Sequence, residues 1–286
     1  MKNSPLPGLY IVATPIGNLG DMTLRAVELL SVADLVACED KRVTAKLFHH
    51  FQIKRPLTVY NDHSTPEDRA RLIDAARTGI VALVSDAGTP LISDPGFKLV
   101  RDAREAGITV VSIPGACAAI AGLSIAGLPT DRFLFAGFLP SKAKARADAI
   151  AELSDVRATL VLYESGPRLG TTLSALAETL GARDGAVARE LTKLHEECVT
   201  GSLAGLAKRY RDEPPKGEIV IVIAPPSEDE TPVATPDDVD QELYRLLGLM
   251  PPAKAAKEVA RKYALDRNEV YDRAMVLKRD APETPT

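Results

Sequence analysis

The sequence predicts an α/β protein of two domains followed by a small helical unit. Three observations carry that expectation. Short apolar runs alternate with helical patterns through residues 1–126. Residues 127–224 keep strands and helices but place some strands next to one another with no helix between them. A stretch rich in proline and acid, 225–238, then precedes three helical patterns within 239–286.

The elements follow in order. Residues 9–13 predict a strand and 23–31 a helix. Residues 35–38 predict a short strand and 43–48 a helix. Residues 57–60 predict a strand before a helix at 66–77, which Ser64 or Thr65 would cap. The apolar run 80–84 predicts a buried strand, 97–106 a helix and 109–113 a strand. Five strands that alternate with helices imply a mostly parallel sheet covered on both faces. Residues 106–130 carry no charge, and that length is enough to reach across a bilayer. Pro114 and Gly115 break it, and alanine and glycine drive insertion poorly, so a strand and a buried helix at 116–126 are the better reading.

Gly127 to Thr130 reads as a hinge. Beyond it, 133–138, 159–163, 186–190, 197–200 and 218–223 predict strands. Residues 143–153, 169–180 and 202–210 predict helices, and antiparallel pairing is expected around 189–200. The three terminal helices are expected at 239–249, 253–264 and 268–278. Asp266 would cap the last, and Ala256, Val259, Ala260, Tyr263 and Val270 would form an apolar stripe. Residues 253–279 hold eight Lys or Arg against four acids, so this tail is basic in a chain whose net charge is −4.

Composition excludes several classes. Of 286 residues, 45% are hydrophobic and 26% charged, which is ordinary for a globular protein. Three scattered cysteines, Cys38, Cys117 and Cys198, offer no disulfide framework and suit a reducing cytoplasm. The start of the chain is not patterned as a signal peptide. The histidines, His49, His50, His63 and His195, have no metal-binding spacing, so no catalytic metal is expected.

The motifs that carry chemistry fall at strand ends. SDAGTPLISDPG, residues 85–96, spends two prolines, two glycines and two aspartates on one connection. That is the composition of a rigid loop that presents backbone groups to a polar ligand at the carboxyl edge of a parallel sheet. TPIGNLGD, residues 14–21, lets backbone approach a ligand beside a helix amino end, yet it is neither GxGxxG nor a Walker loop. CEDKR, residues 38–42, sets two carboxylates and two cations at one strand end. Pro114-Gly115 and the small residues after it allow a flat ligand or close helix packing. YESGPR (163–168), ARELTKLHEE (188–197) and PPKGEIV (214–220) put charge or glycine at strand ends of the second domain, and His195 is one further base candidate.

Taken together, LYIVATPIGNLGDMTLRAVELL, ACED with Arg42, SDAGTPLISDPG, SIPGA, FAGFLP, YES, ARELTKLHEE and KGEIV occur in this order. From about Leu9 to Ile223 the chain resembles the tetrapyrrole methylase superfamily, and within it the branch that methylates small-subunit ribosomal RNA. The resemblance implies a two-domain class III methyltransferase fold and a homodimer. It implies S-adenosyl-L-methionine in the cleft between the domains. It also implies methyl transfer to a ribose 2′-hydroxyl of a decoding-centre cytidine in 16S rRNA, free or in the 30S subunit. Carried over by motif, the methyl donor would touch Pro15, Asp86, Gly88, Thr89, Ala118, Ala119, Tyr163 and Gly217. The chain departs from the family pattern at Lys41, at Gly166-Pro167 and around Asn61 to Ser64.

A ribose hydroxyl is a weak nucleophile, so a base or a cation beside the developing alkoxide is required. Glu39, Asp40, Arg42, Glu190 and Lys193 are the candidates. An acid of the CED motif would take the proton, and Lys193 or Arg42 would stabilise charge or meet phosphate. The basic tail would supply the RNA contacts that an acidic protein otherwise lacks. A methyltransferase acting on a tetrapyrrole, and a ligand-sensing regulator that binds nucleic acid, are the two competing readings.

Overall fold

The computed structural model describes residues 5–227, 235–263 and 265–280. Two compact units are present, Met1–Pro225 and Pro226–Thr286.

The first unit opens with β1 (Gly8–Val12), α1 (Leu24–Val32), β2 (Leu35–Cys38) and α2 (Lys41–His50). It continues with β3 (Leu57–Val59), α3 (Pro66–Thr78), β4 (Ile80–Val84), α4 (Phe97–Glu105), β5 (Val110–Ile113) and α5 (Ala118–Ile125). The strands form one sheet in the order β3-β2-β4-β1-β5, and every pairing is parallel. Buried helical residues cover both faces, as such a sheet requires. Leu29, Leu30 and Phe48 pack on the face of Tyr10, Val12 and Val36. Leu72 and Leu99 pack on the opposite face, against Leu9, Val81 and Leu83. Because all five strands run the same way, the loops after β1, β2, β4 and β5 share one edge.

The second sheet is built from β6 (Phe133–Phe138), α6 (Ala143–Leu153), β7 (Thr159–Ser165), α7 (Gly166–Leu180), β8 (Asp184–Arg189), β9 (Glu197–Ser202), α8 (Leu203–Arg209) and β10 (Glu218–Ile223). Its order is β6-β7-β10-β8-β9. β6 and β7 are parallel, and the rest pair antiparallel, including the β8–β9 pair expected around 189–200. β10 shows the period of two that assigns faces. Ile219, Ile221 and Ile223 point to a core with Leu169, Leu173 and Leu176 of α7. Val220 and Val222 point the other way, into a cluster with Ala119, Leu123 and Ala126.

That second cluster joins the two sheets. α5 lies on β10 so closely that a Cβ on Gly122 would sit 2.8 Å from Val220 Cγ1. The uncharged stretch of 106–130 is therefore the edge strand β5 and a helix, α5, whose Ala119, Gly122 and Leu123 are buried against the second sheet. No helix among the described residues is long and apolar enough to cross a membrane.

Helix starts account for the main departures from the expected boundaries. α2 begins at Lys41, two residues early, because the Asp40 carboxylate accepts the Arg42 N–H as an N-cap. α7 begins at Gly166 rather than 169, so Ser165 ends β7 and Pro167 lies in the first helical turn, where its missing N–H costs nothing. Only glycine fits at 166, since a Cβ there would meet the Pro215 carbonyl oxygen at 1.7 Å. α5 starts at Ala118, two residues late.

In the second unit, α9 (Pro236–Leu247), α10 (Pro252–Tyr263) and α11 (Arg267–Asp280) enclose Leu243, Ala255, Ala256, Val259, Val270 and Ala274. The end of the expected linker is helical. Thr235 and Asp238 form a capping box, so Pro236, Asp237 and Asp238 are the first turn of α9. Residues 228–234 of that linker, and Ala264 of the expected middle helix, lie outside the described residues. Asp266 accepts from the Asn268 and Glu269 N–H groups, which caps α11 as anticipated.

Candidate functional site

The loop after β4 is the hub of the sheet edge. Its Gly88 exchanges two backbone hydrogen bonds with Thr14, of 2.9 and 3.1 Å, which ties it to the loop after β1. The Thr14 hydroxyl also donates to the Ser85 carbonyl at 3.1 Å. The Asp86 carboxylate accepts the Asp40 N–H at 3.1 Å, which ties the hub to the loop after β2. The Thr89 hydroxyl donates to the Ala116 carbonyl at 3.0 Å, which reaches the loop after β5. These bonds hold unfavourable backbone. Gly88 and Gly96 have φ of 83° and 138°, and Leu91 and Ser93 have φ of 74° and 56° without being glycine. Strain of this kind persists where the surrounding structure over-determines it, and it concentrates at ligand sites.

The second sheet supplies the facing wall. The Tyr163 hydroxyl accepts the Ala119 N–H at 3.1 Å, one of the first-turn donors that α5 cannot satisfy itself. Phe135 and Phe138 meet the Tyr163 ring edge-on, with centroids at 4.8 and 5.5 Å. Burial pushes the Tyr163 phenol up to about 12, so it stays neutral. The turn before β10 passes through Gly217 at φ 104°, where a Cβ would lie 2.3 Å from Glu190 Oε1.

Lys193 connects the lobes. Its Nζ lies 3.0 Å from Glu190 Oε1 and 2.8 Å from Glu218 Oε2, and its stem fills the space that a side chain on Gly17 would need. Burial opposes the ammonium charge, but the hydrogen bonds to Glu218 and Glu190 outweigh it and raise the pKa. The Lys193 hydrogen bond and the Glu218 N–H lower that of Glu190. Glu190 and Thr192 also hold positive φ, 51° and 67°.

Carboxylates gather beside the hub. Burial, then repulsion from Asp94, Asp86 and other acids, raises the pKa of Glu39. Burial also raises Asp86 and Asp94. Asp40 goes the other way. Hydrogen bonds from the Arg42 side chain and N–H hold it at about 2, and Arg42 is its close partner at 2.6 Å with 87% of its own side chain exposed.

A cavity of about 350 Å³ lies between the lobes, within the usual range of small-molecule sites. Of the eight residues expected to touch a donor, Gly88, Thr89, Ala118, Tyr163 and Gly217 line it. Ala119 stands behind, bonded to Tyr163. Pro15 and Asp86 line an adjoining cavity instead, together with Lys193. Glu39, Asp40, Arg42 and Glu190 line neither. Among the described residues, the lining of the first cavity includes Asp94, Glu164 and Glu218 and no Lys or Arg, but the Glu164 carboxylate is buried against Thr172 and Arg168 and that of Glu218 pairs with Lys193. That leaves Asp94 as the carboxylate that can meet a positively charged or hydroxyl-bearing ligand there. Ile16, Asp94, Leu191 and Val220 also line it. Asp94 stands inside the SDAGTPLISDPG motif, and Ile16, Leu191 and Val220 stand inside TPIGNLGD, ARELTKLHEE and PPKGEIV, where their apolar side chains give no signal beside the charged and glycine residues.

Comparison with known proteins decides the family. The profile of tetrapyrrole (corrin/porphyrin) methylases matches residues 8–207. A profile described as the RsmI C-terminal HTH domain matches residues 233–278. Ribosomal RNA small subunit methyltransferase I of Erythrobacter litoralis is 57% identical over 274 residues, covering 95% of this chain and 96% of the relative. The enzyme of the same name from Mesorhizobium japonicum is 48% identical over 275 residues, covering 95% and 92%. The chain belongs to the ribosomal RNA small subunit methyltransferase I group of the tetrapyrrole methylases. Among solved structures, uroporphyrin-III C-methyltransferase of Thermus thermophilus complexed with S-adenyl homocysteine shares the fold of this methylase. It has a TM-score of 0.51 and 22% identity, and covers 76% of this chain and 97% of that one. The matched span 8–207 reaches from β1 into α8, so the methylase profile takes in the first sheet and part of the second, while Gly217, Glu218, Ile219 and Val220 of the cavity wall lie beyond it.

Proposed function

We propose that this chain transfers the methyl group of S-adenosyl-L-methionine to a ribose 2′-hydroxyl of a decoding-centre cytidine in 16S rRNA. One observation carries the donor half of the reading: a cavity on the strained hub loop, lined by Asp94, by the aromatic Tyr163 and Phe138 and by no Lys or Arg among the described residues. Its residues fit the donor. Tyr163 and Phe138 offer aromatic faces, Gly88, Ala118 and Gly217 leave room for a flat ring against backbone, and Asp94 offers an acceptor for hydroxyls or a cation. When bound, S-adenosylmethionine supplies a sulfonium methyl that is open to in-line displacement. Gly88, Thr89, Ala118, Tyr163 and Gly217 hold and orient it, several through backbone alone, Ala119 acts through Tyr163, and Pro15 and Asp86 reach it from the side of the adjoining cavity.

Aligning hydroxyl oxygen, methyl carbon and sulfur is the chief task of the rigid hub, because proximity accounts for much of such a reaction. As the oxygen–carbon bond forms and the carbon–sulfur bond breaks, the sulfur keeps the electron pair and the hydroxyl proton leaves. Glu39 takes that proton. It is the CED acid without a structural commitment, and its raised pKa makes it the better base. Asp40 serves α2 and Arg42 instead, and exposed Arg42 meets RNA phosphate. Lys193, fixed by Glu190, stabilises charge near the acceptor.

The same proposal places the enzyme in the cytoplasm as a homodimer that acts on 16S rRNA or the 30S subunit. Residues 1–126 and 127–224 serve as its two catalytic domains, 225–238 as the connection and 239–286 as the basic RNA-binding unit. Exposed Phe133, Leu134 and Phe138 on β6, an edge strand, suit a second copy. Labelled donor offered to 30S subunits, free 16S rRNA and a tetrapyrrole in parallel tests the reading. Label in RNA supports it, label in the tetrapyrrole replaces it, and label in none makes the protein a ligand-binding regulator.

A further inference from the structure

A second cavity, of about 330 Å³, adjoins the first and shares Ile16, Ala87 and Glu218 with it. Its chemistry is different. It holds two cations, Lys46 and Lys193, beside two carboxylates, Asp86 and Glu218, where the first holds no cation among the described residues. Lys193 is engaged by Glu190 and Glu218, whereas Lys46 makes no ion pair with any described residue. Its apolar part comes from one side of α2, Val43 and Leu47, faced by Leu19. Between Val43 and Leu47 on that helix stands Thr44. This side chain is 2% exposed, lines the cavity, and its hydroxyl has no well-formed hydrogen bond to any described residue. The Cys38 thiol feels that hydroxyl, but a thiol is a weak partner. A buried hydroxyl left unpaired is costly, and where it persists in a cavity wall it points to a missing partner.

We propose that this second cavity seats the acceptor nucleotide, its base turned out of the RNA strand against Val43 and Leu47, its polar edge bonded to the Thr44 hydroxyl and its phosphate at Lys46. The inference rests on the methyl-transfer reading and deepens it. The rooms differ in one charged group each: Asp94 in the first suits a cationic donor, and Lys46 in the second suits a nucleotide's phosphate. The shared partition of Ile16 and Ala87 is where donor and acceptor would meet. An extruded base is read by hydrogen bonds to its edge and by apolar contact with its faces, and these side chains supply both. A hydroxyl donates and accepts, so Thr44 can pair with either kind of group on a base edge.

The test uses the full chain, unmethylated 30S subunits, S-adenosylmethionine as donor and S-adenosylhomocysteine as the binding probe. Thr44→Val keeps the shape and removes the hydroxyl, and is expected to raise KM for subunits about tenfold. Lys46→Ala is expected to raise KM and to flatten its salt dependence. Val43→Trp fills the cavity and is expected to abolish transfer. In all three, S-adenosylhomocysteine affinity stays within about twofold of wild type, which also shows that the variants are folded. Unchanged transfer by Val43→Trp overturns the proposal, as does an unchanged KM in Thr44→Val. Loss of S-adenosylhomocysteine binding in Thr44→Val overturns it as well, by giving the second cavity to the donor. If wild type methylates no RNA, the methyl-transfer reading itself falls, which is a separate result.

Discussion

Glu39 and Asp40 are neighbours of the same charge, and their surroundings push them in opposite directions. Asp40 is spent on a helix cap and an arginine, whereas Glu39 sits among acids that make its ionisation harder. This gives Glu39 a sign that can be tested. Its folded pKa lies above the ordinary glutamate value, so the carboxylate base appears only as pH rises through that raised value. Methyl transfer should climb along this limb and level off. Glu39→Gln should flatten the limb and lower the single-turnover rate about 100-fold or more, with donor affinity unchanged. Stability carries the opposite sign. An acid with a raised folded pKa favours the folded state while protonated, and that stability is lost as pH rises through the folded pKa. At neutral pH, Glu39→Gln should therefore melt at a higher temperature than wild type, which calorimetry checks. The sequence showed both carboxylates at a strand end, but not which was committed. That depended on the backbone of α2 starting at Lys41, a boundary that apolar periodicity does not mark.

Elements carry the site through a few close approaches. α7 can start beside the Pro214–Gly217 turn only because residue 166 is glycine. Gly166→Ala should cost about 3 kcal/mol in denaturant unfolding, at the upper end for overpacking, since backbone and not a movable side chain is in the way. α5 meets the second sheet through Gly122 and presents its first turn to Tyr163. Tyr163→Phe strands the buried Ala119 N–H and should lower the melting temperature by about 2–4 °C, and should weaken S-adenosylhomocysteine binding roughly tenfold in calorimetry. Most strands and helices were legible because their periods of two and 3.6 are strong and glycine and proline separate them. The three terminal helices were equally plain, and Thr235-Pro-Asp-Asp already spelled a helix start inside the expected linker. The role of α5 was not legible. An Ala- and Gly-rich helix looks like local packing, and only the tertiary structure shows that it lies on β10 and joins two sheets.

For the whole molecule, charge is uneven: the body is acidic, whereas residues 253–279 are basic. The cavity between the sheets is formed wholly by the first unit, while the surplus of cations lies in 253–279. Truncation after Pro225 should leave S-adenosylhomocysteine affinity intact and weaken RNA binding. It should also make log affinity less steep against log salt, by slightly under one unit of slope for each phosphate that the tail neutralises. Equal RNA affinity and slope would reassign the tail to folding or dimerisation. The loop motifs that suggested a ligand site from sequence do converge on one sheet edge, because all five strands of the first sheet run parallel. Sequence did not separate two adjoining cavities, since Lys46, Thr44 and Asp94 acquire meaning only from which wall they stand in. The central claim is that this chemistry ends on a sugar. The direct measurement is mass spectrometry of nucleosides from 30S subunits incubated with the protein and isotopically labelled S-adenosylmethionine. The account predicts a labelled 2′-O-methylcytidine that is absent without the protein, and label on a base, or no labelled nucleoside, would contradict it.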